Sequence, residues 1–214
     1  MKTALLFGAS GLVGSHVLSK LISNNKYSKI KLFVRSSIDT SDPKIEIIQT
    51  DFNNLENHKE DIKGDDCFFC IGTTKKNSPD KNEYKRVELD VPKQIAQITK
   101  SNSVNSFVFI SSGYADPKSS GDYLKFKGEV EEELKRLNFP KLGIMRPSFL
   151  LGDRKEKRIG PKNRGDNSLN TKIPIFSPIL FSFRSPNKKE GLIIPSFGKL
   201  SLFNSSSTSP LNFK

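Results

Sequence analysis

The stretch that most limits the fold is "TALLFGASGLVGSHV", residues 3–17. An apolar run of strand length ends at Gly8. Glycines recur at Gly11 and Gly14, and a helical spacing of Val17, Leu18, Leu21 and Ile22 follows. A continuous apolar run is what a strand buried on both faces of a parallel sheet requires. A glycine-rich turn from such a strand into a helix is a phosphate-cradling turn. Gly8 permits the tight turn, Gly11 lets the backbone approach a pyrophosphate, and Gly14 lets the helix pack closely on the strand. The helix start then offers free amides and a positive dipole end to the phosphates. Ser10, Leu12 and Val13 fill the loop between these glycines and are expected to line the same cofactor.

The alternation begun there continues to about residue 152. "KIKLFVR" and "KIEIIQTD" read as the second and third strands, "LENHKEDIKG" as a short polar helix and "DDCFFCIGT" as a fourth strand. "EYKRVELDVPKQIAQITKSN" reads as a long helix with Val87, Val91, Ile95 and Ile98 on one side. Pro92 is expected to kink it or mark a break. "SFVFISS" is a fifth strand, and "YLKFKGEVEEELKRL" a helix with Phe126, Val130, Leu134 and Leu137 facing inward. "KLGIMRPSFLLG" is a sixth strand with its exit loop. Repeated strand–helix units of this kind predict an α/β fold: a doubly wound parallel sheet of the dinucleotide-binding type.

From Asp153 onward the periodicity stops. Six of the 12 prolines fall in 153–214, amid frequent serines. The segment is expected to be irregular or disordered, with at most one short helix or strand. Such a loss of pattern is also what out-of-frame translation produces. Resequencing the coding region tests that, and an intact frame with a structured tail would sink it. The division expected is a nucleotide-binding domain over 1–152 and an irregular segment over 153–214.

Charge excludes less than it first suggests. The formal net charge is +12, yet residues 1–152 hold 23 Lys and Arg against 19 Asp and Glu, while 153–214 hold 12 against 4. The excess sits in the last stretch, so a solvated basic tail is favoured over a nucleic-acid groove, and no specific nucleic acid is expected. The two cysteines, Cys67 and Cys70, imply no disulfide framework. They stand i and i+3 on a strand, point to opposite faces, and read as buried structural thiols rather than a redox or metal pair. No metal site is expected. With no secretory leader and no membrane-length apolar run, the expected setting is cytoplasmic, without a membrane.

The remaining candidates lie at strand ends. The second strand ends in "FVRSS"; Arg35 stands where an acid often binds the ribose 2′-hydroxyl, and a guanidinium suits a 2′-phosphate instead. NADP is therefore expected, with Asp39 close enough to keep NAD open. Asp51 and Phe52 end the third strand, where an Asp can accept from an adenine amino group; the alternative is a helix cap. Gly72 and Thr73, in "CIGTT", end the fourth strand, where Gly72 allows close approach of a cofactor. Ser111 and Ser112 end the fifth. Tyr123 begins the next helix, and Lys127 lies one turn on. A tyrosine hydroxyl, with a reference pKa of about 10, is a poor acid or base at neutral pH. A neighbouring ammonium stabilises its phenolate and lowers that value.

"GASGLVG", "CIGTT", "FISS", "YLKFKGEVE" and "RPSFLLGDR" together resemble the atypical, extended-like short-chain dehydrogenases/reductases over about residues 1 to 155. Within them the chain is most similar to the small oxidoreductases related to the human HIV Tat-interacting protein. The resemblance implies a Rossmann-like fold, NADP(H) binding and a catalytic trio of Ser112, Tyr123 and Lys127. Ser112 is preferred to Ser111 because it aligns with the family's serine. It also places Arg146 and Pro147 in the loop bordering the nicotinamide. The implied partner is a small carbonyl or alcohol substrate, and the chain is expected to be a monomer or a homodimer. The alternative is a non-catalytic NADP-binding sensor or regulatory protein. A nucleotide-sugar epimerase or dehydratase is less favoured, since too little chain follows the sixth strand to hold a nucleotide sugar.

Overall fold

The computed structural model describes residues 1–147 and a strand at 181–184. The chain order is β1 (Lys2–Phe7), α1 (Leu12–Ile22), β2 (Tyr27–Val34), β3 (Ile45–Gln49), β4 (Asp66–Phe69), α2 (Lys81–Lys85), α3 (Val91–Ser101), β5 (Ser106–Ile110), α4 (Asp122–Leu137), β6 (Lys141–Met145) and β7 (Phe181–Arg184). One sheet runs β3-β2-β1-β4-β5-β6-β7. The first six strands are parallel and β7 pairs antiparallel with β6. This is the doubly wound Rossmann-like order, with its reversal of direction between β1 and β4.

The pleat sorts side chains onto two faces. Ala4, Leu6, Ile30 and Leu32 meet Leu18 and Leu21 of α1. Leu5, Phe7, Phe69, Phe107 and Phe109 face Ile95 of α3 and Val130 and Leu134 of α4. In-register pairing places Phe7 beside Phe33 and Phe69, and Phe69 beside Phe109. Their rings form a row with centroids 4.3 Å apart (Phe7–Phe33) and 6.0 Å apart (Phe7–Phe69, Phe69–Phe109). Each such buried ring contributes about 3 to 5 kcal/mol against truncation to alanine. The row braces the C-terminal strand ends, where the site residues emerge.

Cys67 belongs to one cluster and Cys70 packs against the other, as the strand spacing requires. Burial raises both thiols, Cys70 to about 12. They are protonated at neutral pH and poor nucleophiles.

Two elements differ from the sequence reading. The polar helix expected at "LENHKEDIKG" is one 3-10 turn, Leu55–His58. The expected long helix is built of three parts: α2, a π-helical turn over Arg86–Asp90, and α3. Pro92 sits in the first turn of α3. Its missing N–H is harmless there, and the widened π turn carries the chain into the new helix. β7 is a short strand of the kind the sequence reading allows after Asp153. The rest of that expectation lies outside the described residues.

Candidate active site

The glycine turn takes the shape its spacing predicts. Gly8 has φ +86°, and a Cβ there would stand 2.8 Å from the Cys70 carbonyl carbon and the Ile71 nitrogen. A Cβ on Gly14 would stand 2.0 Å from the Gly8 carbonyl oxygen, so α1 can start here only because residue 14 has no side chain. Gly11 is exposed and a Cβ on it would meet only the Gly8 oxygen, at 3.4 Å. Its amide donates to Gly8 (3.1 Å) and its carbonyl receives Ser15 N–H (2.9 Å). The amides of Leu12, Val13 and Gly14 fall in the first turn, where a helix offers its own N–H groups no acceptor. No acidic side chain stands in that turn, and no side chain caps it. Ser10 is exposed beside them. This end is a cradle of backbone donors, which fits an anionic phosphate group.

Arg35 is exposed directly after β2, and Asp39, four residues on, is exposed too; the Arg35 carbonyl accepts from the Gln49 side chain at 3.2 Å. Asp51 turns back on Asn53, accepting from its N–H (2.9 Å) and its side-chain amide (2.8 Å). Those hydrogen bonds hold its carboxyl below the ordinary range. It does not cap the following turn, whose N-cap is Asn54. Phe52 adopts φ +64°, an uncommon conformation for a bulky residue. Thr50 Oγ1 accepts from its N–H (3.1 Å), and Arg86 donates to its carbonyl (3.0 Å). Sequence reasoning missed Arg86, which also pairs with Glu83.

The other end is built from charges. Lys127, on the inner face of α4, places Nζ 3.0 Å from Glu88 Oε2; the two side chains are 4 % and 0 % exposed. The same ammonium lies 4.9 Å from the Phe109 ring centroid and 5.8 Å from that of Tyr123, with the Ile110 carbonyl at 3.4 Å. Tyr123, 38 % exposed, is the solvent-facing member. Glu88 Oε1 accepts from the Thr73 backbone N–H at 2.5 Å, so the loop carrying Gly72 and Thr73 is tied to the π turn. Thr73 Oγ1 also bonds Ser78 Oγ (2.9 Å). Oε2 of Glu88 is close enough to Lys127 for an ion pair but has no hydrogen-bond partner among the described residues.

One turn beyond Lys127, buried Glu131 receives Ser111 Oγ–H (2.5 Å) and the Arg146 guanidinium through Nε (2.9 Å) and Nη2. Ser111 is therefore occupied, while Ser112 is half-buried at the strand end. Arg146, expected beside the nicotinamide, holds Glu131; Pro147 follows it and accepts from Gly113 N–H at 3.2 Å. Glu88 and Glu131 were not anticipated. Glu131 had a signal: it continues the i, i+4 line from Tyr123 and Lys127 onto a face otherwise apolar. A cavity of about 270 Å³ between Asn53–Glu56 and Gln94, Gln97 and Ile98 includes neither the glycine turn nor Ser112, Tyr123 or Lys127.

Among the described residues no helix is long and apolar enough to cross a membrane, and no group of His, Cys, Asp and Glu is placed to hold a metal ion.

Comparison with known proteins identifies the family and the fold. Residues 8–175 match the NAD(P)H-binding family model. The chain is 32% identical over 163 residues to Protein HTATIP2 of Rattus norvegicus, covering 74% of this chain and 67% of the relative. It is 30% identical over 158 residues to Protein FMP52, mitochondrial, of Debaryomyces hansenii, covering 73% and 70%. Among solved structures, the Bordetella bronchiseptica enzyme WbmH in complex with NAD+ superposes with TM-score 0.56 at 15% identity, over 69% of this chain and 56% of that one. A short-chain dehydrogenase/reductase superfamily protein from Agrobacterium tumefaciens with bound NAD gives 0.55 at 18%, over 67% and 48%. The chain thus spans about half the length of these structures, which share its fold. The chain belongs to the NAD(P)H-binding family, as an atypical short-chain dehydrogenase/reductase related to HTATIP2.

Proposed function

We propose that the chain is an NADP(H)-dependent oxidoreductase interconverting a small carbonyl compound and its alcohol. The observation that carries this reading is the Lys127 ammonium, 5.8 Å from the Tyr123 ring centroid and 3.4 Å from the Ile110 carbonyl at the C-terminal end of β5, with Ser112 two residues on in the chain; the glycine cradle lies at the C-terminal end of β1 in the same parallel sheet. Gly8, Gly11 and Gly14, with the amides of Leu12 and Val13, fit a pyrophosphate. Arg35, exposed at the end of β2, suits a 2′-phosphate better than a bare ribose. Asp51 and Phe52 would border the adenine, and Gly72, Thr73 and the Arg146–Pro147 turn the nicotinamide side.

When bound, the nicotinamide supplies or accepts the hydride. In reduction the Tyr123 hydroxyl gives its proton to the carbonyl oxygen, and Ser112 donates a hydrogen bond to that oxygen. Lys127 favours the phenolate left on Tyr123 and holds the ribose. In oxidation the proton moves the other way. A specific observation favours a second reading, a non-catalytic NADP(H)-binding sensor: the Lys127 ammonium is already paired with a buried carboxylate.

Two measurements test the proposal. NADPH is expected to bind more tightly than NADH. With a panel of aldehydes and ketones, NADPH oxidation should exceed that of Tyr123→Phe by a factor of about 100 or more, the scale of positioned acid–base catalysis. Binding without turnover on any carbonyl would support the sensor. A cytoplasmic setting is part of the proposal. The printed name of the Debaryomyces hansenii relative says mitochondrial, and fractionation decides between the two.

A further inference from the structure

We propose that Glu88 is a positioning residue of this site: its carboxylate holds the Lys127 ammonium and opposes its charge, so that the acidity of Tyr123 is set by the pair and not by the lysine alone. The inference rests on the reading of Tyr123 and Lys127 as the proton-transfer pair. Glu88 can act this way because of the π turn. The wider Arg86–Asp90 coil places it, together with Leu89, on the buried side between α2 and α3. There Oε1 is fixed by Thr73 N–H and Oε2 stands 3.0 Å from Lys127 Nζ. With both side chains out of water, neither charge is screened by solvent.

Other charged groups among the described residues stand near Tyr123 as well. On α4, Asp122 precedes it and is paired with Lys75 at 2.9 Å, in solvent. Lys81 and Lys125 act on Asp122 more weakly. From the loop after β4, Lys75 also lies 5.9 Å from the Tyr84 ring centroid. Tyr84 of α2 is raised to about 12 by burial first and Glu88 next, with Tyr123 and Asp122 adding to it. The Glu88 carboxylate is thus near enough to act on a neighbouring phenol. Glu131, further along α4, is occupied by Arg146 and Ser111.

The test needs neither cofactor nor substrate. The chain has 4 tyrosines, so tyrosine titration by NMR of ring-labelled protein, with Tyr123→Phe as the reference, isolates Tyr123. Glu88→Gln keeps the shape and the bond from Thr73 but removes the negative charge. It should move the Tyr123 midpoint down by about one pH unit, the scale of a nearby, poorly screened charge. Lys127→Met should move it up, and Glu88→Gln/Lys127→Met should return it to near the parent value. The double variant leaves no lone buried charge, so it serves if a single variant does not fold. A Glu88→Gln midpoint that stays or rises would overturn the proposal, as would a double variant that titrates like Lys127→Met alone. If the oxidoreductase reading fails instead, NADPH binding or turnover is missing while these midpoints still shift.

Discussion

The two ends of the site are made of different material. At the β1–α1 end the working parts are backbone: amides free because a helix begins there, and two glycines whose side chains would collide with Cys70 and Gly8. At the β5–α4 end they are side chains held by buried charge pairs, Lys127 with Glu88 and Glu131 with Arg146. A backbone cradle tolerates change at any position that adds no bulk. A charge-built end tolerates almost none on one partner alone, because each charge depends on the other to remain buried. On the proposed function the first end binds the nucleotide and the second carries the proton transfer.

The sharpest way to break the comparison is to fill the cradle. In Gly14→Val the first side-chain carbon alone would lie 2.0 Å from the Gly8 carbonyl oxygen, so α1 must retreat and carry its amides with it. NADPH affinity is expected to fall at least about a hundredfold by fluorescence titration. Next comes the charge end. Lys127→Met strands Glu88, and chemical denaturation should show a loss of about 3 to 5 kcal/mol, most of it recovered when Glu88→Gln is added. Non-recovery would mean that packing, not charge, holds this end. A smaller effect is expected at Arg35, which is exposed: Arg35→Ala should weaken NADPH about tenfold and leave NADH nearly unchanged. Smallest is the effect of a thiol reagent at neutral pH. Burial holds Cys70 up at about 12, so the thiol is protonated below that value. No alkylation is expected until the protein unfolds, as read by intact mass.

The sequence disclosed the backbone end more fully than the charged one, for a physical reason. A glycine cradle is local: Gly8, Gly11 and Gly14 lie within one turn, and the requirement for no side chain is written in the residue type. The parallel strand–helix alternation and the opposed cysteines are legible in the same way, from period and spacing, whereas the Tyr123–Lys127 pair takes its meaning from the family resemblance. Glu88–Lys127 joins positions 39 apart in the chain, through a π turn that no residue pattern announced. Glu88 stands in "VELDV" between Val87 and Leu89, looking like any helix acid. Ser111–Glu131–Arg146 likewise joins the ends of β5 and β6 to α4, and the Arg146–Glu131 pair is visible only once the sheet brings the two together. Resemblance alone favours Ser112 over Ser111; only the fold shows that Ser111 is occupied, by Glu131.

The account stands on nucleotide binding at the glycine cradle. The most direct measurement is a fluorescence titration of the full chain with NADPH and, in parallel, NADH, each repeated with Gly14→Val. Saturable binding, tighter for NADPH and lost in Gly14→Val, is the predicted result. No saturable binding of either nucleotide, or binding that survives Gly14→Val unchanged, would contradict it.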